Sequence, residues 1–314
     1  MINEYKTILG NNKFIYIDIG SRGGLPNEWQ NMEDIIDVVL FEPDHVEGKK
    51  LKKLSKKNTT VINSAIWNKK GEVRFNVMKN PSYSSILEPD KQQLRGTYYY
   101  HRNFYDIDRV TTIKTELLEA ILKSNGIEAF DFLKIDVQGG EGIILETITN
   151  WDNILGINIE AYANKIYKGG SDIGSTLNKL YNHNLEIFNV ETIATSPIVS
   201  NENEIIYGNK FLNARPISGY KPRLMVFDLL LLRNRNLISK YKSKAQKMIF
   251  LLSVYKYYDH AISLTIDLWN NKIISNDEKE MIVNSIIKLH KKNLGKYRLL
   301  KERVKLLFYN IKKR

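Results

Sequence analysis

The sequence predicts an α/β protein: a doubly wound, mostly parallel sheet followed by a C-terminal helical appendage. Three observations carry this reading. Phe14 to Ile19 is an apolar and aromatic run broken only by Asp18, and Gly20, Gly23 and Gly24 follow it. A run of that length bounded by glycines suits a strand buried on both faces. Two further runs, Asp37 to Phe41 and Leu133 to Val137, carry an acid at their ends, Glu42 and Asp136. After Asn236 the apolar spacing becomes that of helices.

The elements follow in order. Residues 4–9 form a helical lead-in before the first strand, and residues 25–36 are expected as the first full helix, with Pro26 near its start. Residues 49–57 read as a basic helix whose lysines are a solvated face, 59–62 as a third strand, and 65–77 as a hairpin. The stretch 82–108 is a long polar and aromatic loop, the kind that covers a sheet end as a lid. Residues 115–125 are helical, with Leu117, Leu118, Ile121 and Leu122 on one face and Gly126 as a stop. Helices at 142–148 and 173–182 alternate with strands at 154–160 and 185–190; a loop at 196–221 leads to a closing strand at 224–232. Such alternation implies right-handed crossovers and helices on both faces. Four helices are expected at 240–258, 260–272, 277–291 and 298–311, so the domains are drawn as 1–236 and 237–314.

Composition sets bounds on function. With 314 residues, 43% apolar and 26% charged, the chain has ample length for a core. It contains no cysteine, which removes disulfides, thiolate metal sites and a cysteine nucleophile, and fits a reducing compartment. No basic-then-apolar leader begins it and its apolar runs are too short to span a bilayer, so a cytoplasmic protein is expected. The net charge of +12 is unevenly placed: from Ser239 onward 18 Lys and Arg face 6 Asp and Glu, whereas the preceding residues hold 29 of each. That asymmetry points to an acidic partner, either a membrane surface, placing the protein peripherally at the inner face, or a phosphate-bearing intermediate. Nucleic acid ranks behind these, because Lys291-Lys292 and Lys312-Lys313-Arg314 lack interleaved stacking aromatics.

The glycine turn is neither the dinucleotide fingerprint nor a phosphate loop, which would need a following Lys-Ser/Thr. An acid just before the first glycine suits a cofactor that carries an ammonium and no pyrophosphate. Glu42 lies about 20 residues beyond the turn, where an acid at a strand end accepts hydrogen bonds from ribose hydroxyls.

The segments DIGSRGG at 18–24, FEP at 41–43 and LKIDVQGGE at 133–141, in that order, resemble the FkbM family of S-adenosylmethionine-dependent methyltransferases. Ser84-Ser85 and Val110 to Ile113 fall near further landmarks, and the resemblance covers about residues 12–235. It departs where Ser21-Arg22 replaces Ala-Asn, where Gln138 stands in place of a common Glu, and where Lys114 stands in place of a common Asp, so neither Gln138 nor Lys114 receives a catalytic role. The resemblance implies the class I, Rossmann-like methyltransferase fold with one antiparallel strand near the edge, and S-adenosyl-L-methionine as cofactor. The positions expected to bind it are Asp18, Gly20, Ser21, Gly24, Glu42, Pro43, Ser64, Ala65 and Asp136.

Methyl transfer from a sulfonium requires alignment, exclusion of water and, for a hydroxyl acceptor, a base. Asp136, Glu141 and Glu160 come from neighbouring strand ends and turns, and His101 in the long loop is the best-placed histidine. Glu141 alternatively caps the glycine turn at 139–140. Carboxylates without cysteine would suit a hard cation, but no ligand spacing demands one and no metal is expected. Asn80-Pro81-Ser82-Tyr83 resembles a motif that holds planar amino groups; it precedes the 133–137 strand by about fifty residues and reads as a loop turn. The resemblance implies O-methylation of a hydroxyl on a sugar, glycan or secondary metabolite. RNA methylation using the basic tail, and a non-catalytic protein that keeps the S-adenosylmethionine fold, are the alternatives.

Overall fold

The computed structural model describes residues 1–95, 97–101, 103–195 and 223–312. It divides into two compact units, one of residues 15–25 and 37–233, the other of 1–14, 26–36 and 234–314.

The first unit is built on a seven-stranded sheet. Its strands are β1 (Ile15–Ile19), β2 (Asp37–Phe41), β3 (Thr59–Ile62), β7 (Phe132–Ile135), β8 (Gly156–Tyr162), β9 (Leu185–Thr195) and β10 (Arg223–Arg233), in the order β3-β2-β1-β7-β8-β10-β9. All neighbours are parallel except β10, which runs antiparallel to both β8 and β9. Strand order reverses beside β1, where the next strand added is β7, and that switch point is where doubly wound sheets bind ligands. One face is apolar throughout, with Ile17, Leu133, Ile157 and Leu229 in a single buried cluster. The opposite face carries Asp18, Lys134, Glu160 and Asp228, placed there by the period of two along each strand.

Three strands stand apart: β4 (Ala65–Ile66), β5 (Gly71–Met78) and β6 (Ile107–Glu116), in the order β4-β6-β5. The expected hairpin at 65–77 does not form, because β4 and β5 each pair with β6 instead of with one another. The partner strand lies some thirty residues downstream, beyond the reach of a local pattern. α1 (Ile2–Leu9) belongs to the second unit, and the first unit adds α2 (His45–Leu54), α3 (Lys91–Leu94), α4 (Tyr98–His101), α5 (Leu118–Ser124), α6 (Glu141–Leu145) and α7 (Ile173–Asn182) to its sheets. Asp44 caps α2 by accepting the Val46 and Glu47 N–H groups.

Residues 25–36 form turns and one 3-10 turn at Met32–Asp34 in place of the expected helix. Asn31 adopts φ 68°, a left-handed conformation that no α-helix passes through. Trp29 is fully buried in the second unit, stacked on Phe14 at 5.8 Å, and its Nε1 donates to Tyr255 Oη at 3.1 Å. Burying such a ring is worth about 1.5–3 kcal/mol, enough to override a weak helical preference.

That second unit contains α8 (Arg235–Ile238), α9 (Lys242–Val254), α10 (Tyr258–Asn270) and α11 (Asn276–Lys312). Two helices were expected where α11 runs unbroken for 37 residues. A Cβ added at Gly295 would meet nothing within 4 Å, and the glycine stays helical at a cost of only about 1 kcal/mol relative to alanine. The expected division at 236 assigns residues 1–14 and 26–36 to the sheet; by contact they pack with the helices, through Tyr5, Phe14 and Trp29 against Phe250.

Candidate active site

The ends of β3, β2, β1 and β7 bring most of the expected cofactor residues to one edge of the sheet. The Gly20 and Ser21 N–H groups both donate to Phe41 O at 3.1 Å, joining the glycine turn to the end of β2. Gly20 has φ 86°, and a Cβ there would lie 1.9 Å from Asp136 O, so only glycine lets β1 and β7 leave the sheet side by side. Glu42, 3% exposed, accepts the Asp44 N–H through Oε1 at 2.9 Å. Burial pushes its carboxyl up, with the Asp44 amide and Arg22 opposing. Asn63 donates to Glu42 O at 3.1 Å, and Arg22 pairs with Asp44 at 2.8 Å. Pro43 is half-buried, while Ser64 and Ala65 are buried where β3 gives way to β4.

Asp18 differs from its expected setting. It is fully buried, and both oxygens have protein partners: Lys134 Nζ at 3.1 Å and Tyr16 Oη at 3.3 Å. Burial pushes its carboxyl up and Lys134 pulls it back. Burial also works against the Lys134 ammonium, but Asp18, then Asp136, outweigh it and hold the proton on. Asp18 therefore acts on the sheet edge through Lys134.

The turn after β7 organises the rest. Gln138 takes φ 60° and Gly139 φ 99°. Glu141 Oε1 accepts the Val137 N–H at 2.9 Å, and its Oε2 accepts the Gly139 N–H, also at 2.9 Å. Glu141 thus holds the turn, the second of its two expected roles. Burial pushes it up to about 8 against those amides, and Asp136 adds to the rise. The Gln138 Nε2 donates to Asp136 Oδ1 at 2.8 Å and to Glu160 Oε2 at 2.9 Å, while its Oε1 accepts from Tyr162 Oη at 3.2 Å and Tyr167 Oη at 3.0 Å. Burial, then Asp136 and Glu141, push Glu160 well above the usual carboxylate range. Asp136, Glu141 and Glu160 bring carboxylate oxygens within 4.8 Å of one another.

Over these groups lies a cleft of about 210 Å³ lined by Tyr83, Tyr99, Tyr105, Tyr162, Asp136 and Glu160, with Ser82, Gln138 and three aliphatic side chains completing it. The long loop reaches it because Asn76 bridges to Ser85, Ser85 Oγ donates to Gln138 O at 2.7 Å, and Tyr167 Oη lies 3.0 Å from Tyr83 O. The tetrapeptide 80–83 does form a turn, yet it delivers Ser82 and Tyr83 to the cleft. Sequence separation hid this return. Tyr162, Tyr167 and Gln138 went unassigned as well; the aromatic run at 98–105 was the available signal for the cleft. The side chain of His101 and the loop 196–221 lie outside the described residues.

The buried residues fit a cofactor at the glycine turn. Ser21 is 1% exposed, and its Oγ has no hydrogen-bond partner among the described residues. A buried hydroxyl in that state calls for a ligand atom or water.

The sheet order, with a single antiparallel strand beside the last, is that of the class I methyltransferases. A family model described as the methyltransferase FkbM domain matches residues 18–187. The chain belongs to the FkbM methyltransferase family; it is a methyltransferase, and S-adenosylmethionine is its methyl donor. Comparison with curated proteins finds no match. Among solved structures, M. capricolum TrmK in complex with S-adenosyl-homocysteine is 13% identical, covering 93% of this chain and 96% of that one with a TM-score of 0.31. A TehB-like SAM-dependent methyltransferase from Corynebacterium glutamicum is 12% identical, over 74% and 89%, with a TM-score of 0.30. An rRNA methylase from Streptococcus thermophilus is 10% identical, over 74% and 94%, with a TM-score of 0.30. These overlays are loose, and the fold assignment rests on the strand order.

Proposed function

We propose that this chain is an O-methyltransferase acting on a hydroxyl of a sugar, glycan or small secondary metabolite, with the acceptor in the tyrosine-lined cleft and Asp136 as the base. The observation that carries this reading is Asp136 itself, which lies at the end of β7 beside the glycine turn and also lines the cleft. One residue thus borders both the cofactor turn and the acceptor space.

When bound, S-adenosylmethionine supplies an electrophilic methyl on a sulfonium. Glu42 would accept from the ribose hydroxyls, Pro43, Ser64 and Ala65 would border the adenine, and Gly20, Ser21 and Gly24 would face the amino-acid portion. Asp18 supports that floor through Lys134. Asp136 takes the hydroxyl proton, Gln138 orients Asp136 by its amide, Glu141 fixes the turn, and the tyrosines exclude water. A correctly placed base is worth about two to four orders of magnitude in rate.

The basic helices add a second surface. Among the described residues no helix is long and apolar enough to cross a membrane. In this reading the protein is cytoplasmic, and its helical unit rests on an acidic membrane surface or holds a phosphate-bearing intermediate.

Incubation of the pure protein with methyl-labelled cofactor and separate pools of glycans, lipid-linked sugars, small metabolites and RNA tests the proposal. Label is expected in a sugar or metabolite hydroxyl. Label confined to RNA would replace this reading with RNA methylation, and cofactor binding without transfer to any pool would favour a non-catalytic binding protein.

A further inference from the structure

The cleft has a chemical bias that the methyl-transfer reading does not require. Four tyrosines and two carboxylates line it, and among its described lining residues there is no lysine, arginine or histidine. Asp136 acts electrostatically on Asp18, Glu141, Glu160 and Asp228. Beside these five carboxyl groups stands the Lys134 ammonium, which is bound to Asp18. Asp228 stands directly opposite Glu160 on β8 and opposite Glu191 on β9, so three acids lie abreast across three strands. Like charges placed opposite one another are destabilising unless something positive offsets them.

From the cleft's lining and this surplus of carboxyl groups, we infer that the acceptor carries a cationic amine beside the hydroxyl that is methylated, as in an amino sugar or an amine-bearing metabolite. The inference rests on the methyl-transfer reading for the word acceptor, but the cation preference of the cleft stands on its own lining. Tyrosine ring faces attract an ammonium, more strongly once it is desolvated. Tyr83, Tyr99 and Tyr105 pack ring against ring, with centroids 4.7–6.5 Å apart, on the loop side of the cleft. Glu160 lies on the sheet side, between Tyr162 and the Gln138 amide. An ammonium between these walls would have the tyrosine rings on one side and Glu160 on the other. A neutral sugar would use the rings and leave Glu160 with only its hydrogen bonds from Gln138 and Tyr162, and an anionic acceptor would oppose both carboxylates. Burial raises Glu160 well above its ordinary range, which is the condition an arriving cation would relieve.

Three probes of one shape separate these cases: n-butylammonium, n-butanol and butyrate, titrated against the full chain by saturation-transfer NMR. Butylammonium should bind at least about tenfold more tightly than butanol, with butyrate weakest. Glu160→Gln should remove most of that preference and Tyr83→Leu should weaken it, with calorimetry of S-adenosylmethionine confirming that both variants stay folded. Butanol binding as well as butylammonium, absence of any cation preference, or a preference untouched by Glu160→Gln would overturn the inference. Calorimetry on the unaltered chain keeps the two proposals apart: loss of the cation preference with intact cofactor binding removes only the amine, whereas a cation-selective cleft without cofactor binding removes the methyl-transfer reading.

Discussion

The Gln138 amide donates to Asp136 Oδ1 at 2.8 Å, and the same nitrogen reaches Glu160 Oε2 at 2.9 Å. One neutral side chain therefore spends both N–H groups on two carboxylates that would otherwise face each other, while its oxygen takes two tyrosine hydroxyls. All the hydrogen-bonding capacity of that amide is used. A glutamate at this position would offer acceptors where donors are needed.

Asp136→Asn keeps the size of the side chain and an oxygen for the Gln138 amide, and removes only the base. Turnover should fall by about two to four orders of magnitude while affinity for S-adenosylmethionine changes little. Steady-state rates on whichever acceptor the labelling identifies, together with cofactor calorimetry, make the comparison. Near-normal turnover would take Asp136 out of the mechanism.

Glu42→Ala addresses the other half of the site. Losing hydrogen bonds from ribose hydroxyls to a carboxylate should cost about 1.5–3 kcal/mol, a roughly ten- to hundredfold weaker cofactor affinity. Unchanged affinity in a folded variant would move the ribose elsewhere along the β2 end.

Much of this arrangement was legible in the sequence because strands buried on both faces must be continuous apolar runs, and β1, β2 and β7 each end in a turn that chemistry marks. The Gly20 turn, Glu42 and Asp136 were found that way. The apolar period also placed α7 at residues 173–182, where the structure has Ile173–Asn182. What failed depended on distant contacts. Trp29 is drawn into the helical unit by Phe14 and Phe250, so residues 25–36 do not coil as their spacing suggested. Tyr83 reaches the cleft that Asp136 also lines because Ser85 and Tyr167 tie the loop back over the sheet, and no local pattern encodes that closure. Gln138 stood out only as a departure from the family pattern; its role needs Glu160 and Tyr162, more than twenty residues onward, in the same view.

Glu141 gives a prediction about pH. Its folded carboxyl, pushed up to about 8, holds a proton that an unfolded glutamate releases near 4.5. The native state therefore binds this proton more tightly. The resulting stability is fully present below about pH 4.5 and is lost as pH rises towards 8. Glu141→Gln keeps an acceptor for the Gly139 N–H and removes the titration. Asp228, raised to about 6 by burial and then by Asp136, titrates in both proteins and cancels in the difference. Melting temperatures across this range should fall more steeply for the unaltered protein than for the variant. Parallel curves would show that Glu141 stays ionised throughout, held by its backbone donors.

The basic helices call for a test that leaves the fold intact. Deleting everything after Asn236 would strip Phe14 of Phe250 and Trp29 of Tyr255, exposing aromatic rings that are buried in the unit they share. Lost binding after such a deletion would report unfolding as readily as a missing surface. Charge reversal separates the two. Lys292 already pairs with Glu4 at 2.8 Å, which leaves exposed Lys291, together with the terminal Lys312, Lys313 and Arg314, as the positions to change. Each basic side chain near an anionic bilayer contributes about 1 kcal/mol, screened over roughly 8–10 Å at physiological salt. Flotation with vesicles containing anionic lipid should recover the unaltered protein at low salt and progressively less as salt rises. The variant with Lys291→Glu, Lys312→Glu, Lys313→Glu and Arg314→Glu should remain unbound while melting at the same temperature. If the unaltered protein ignores anionic vesicles at low salt, or the reversed variant floats equally well, the positive excess serves something other than a membrane surface, and the phosphate-bearing intermediate becomes the reading to pursue.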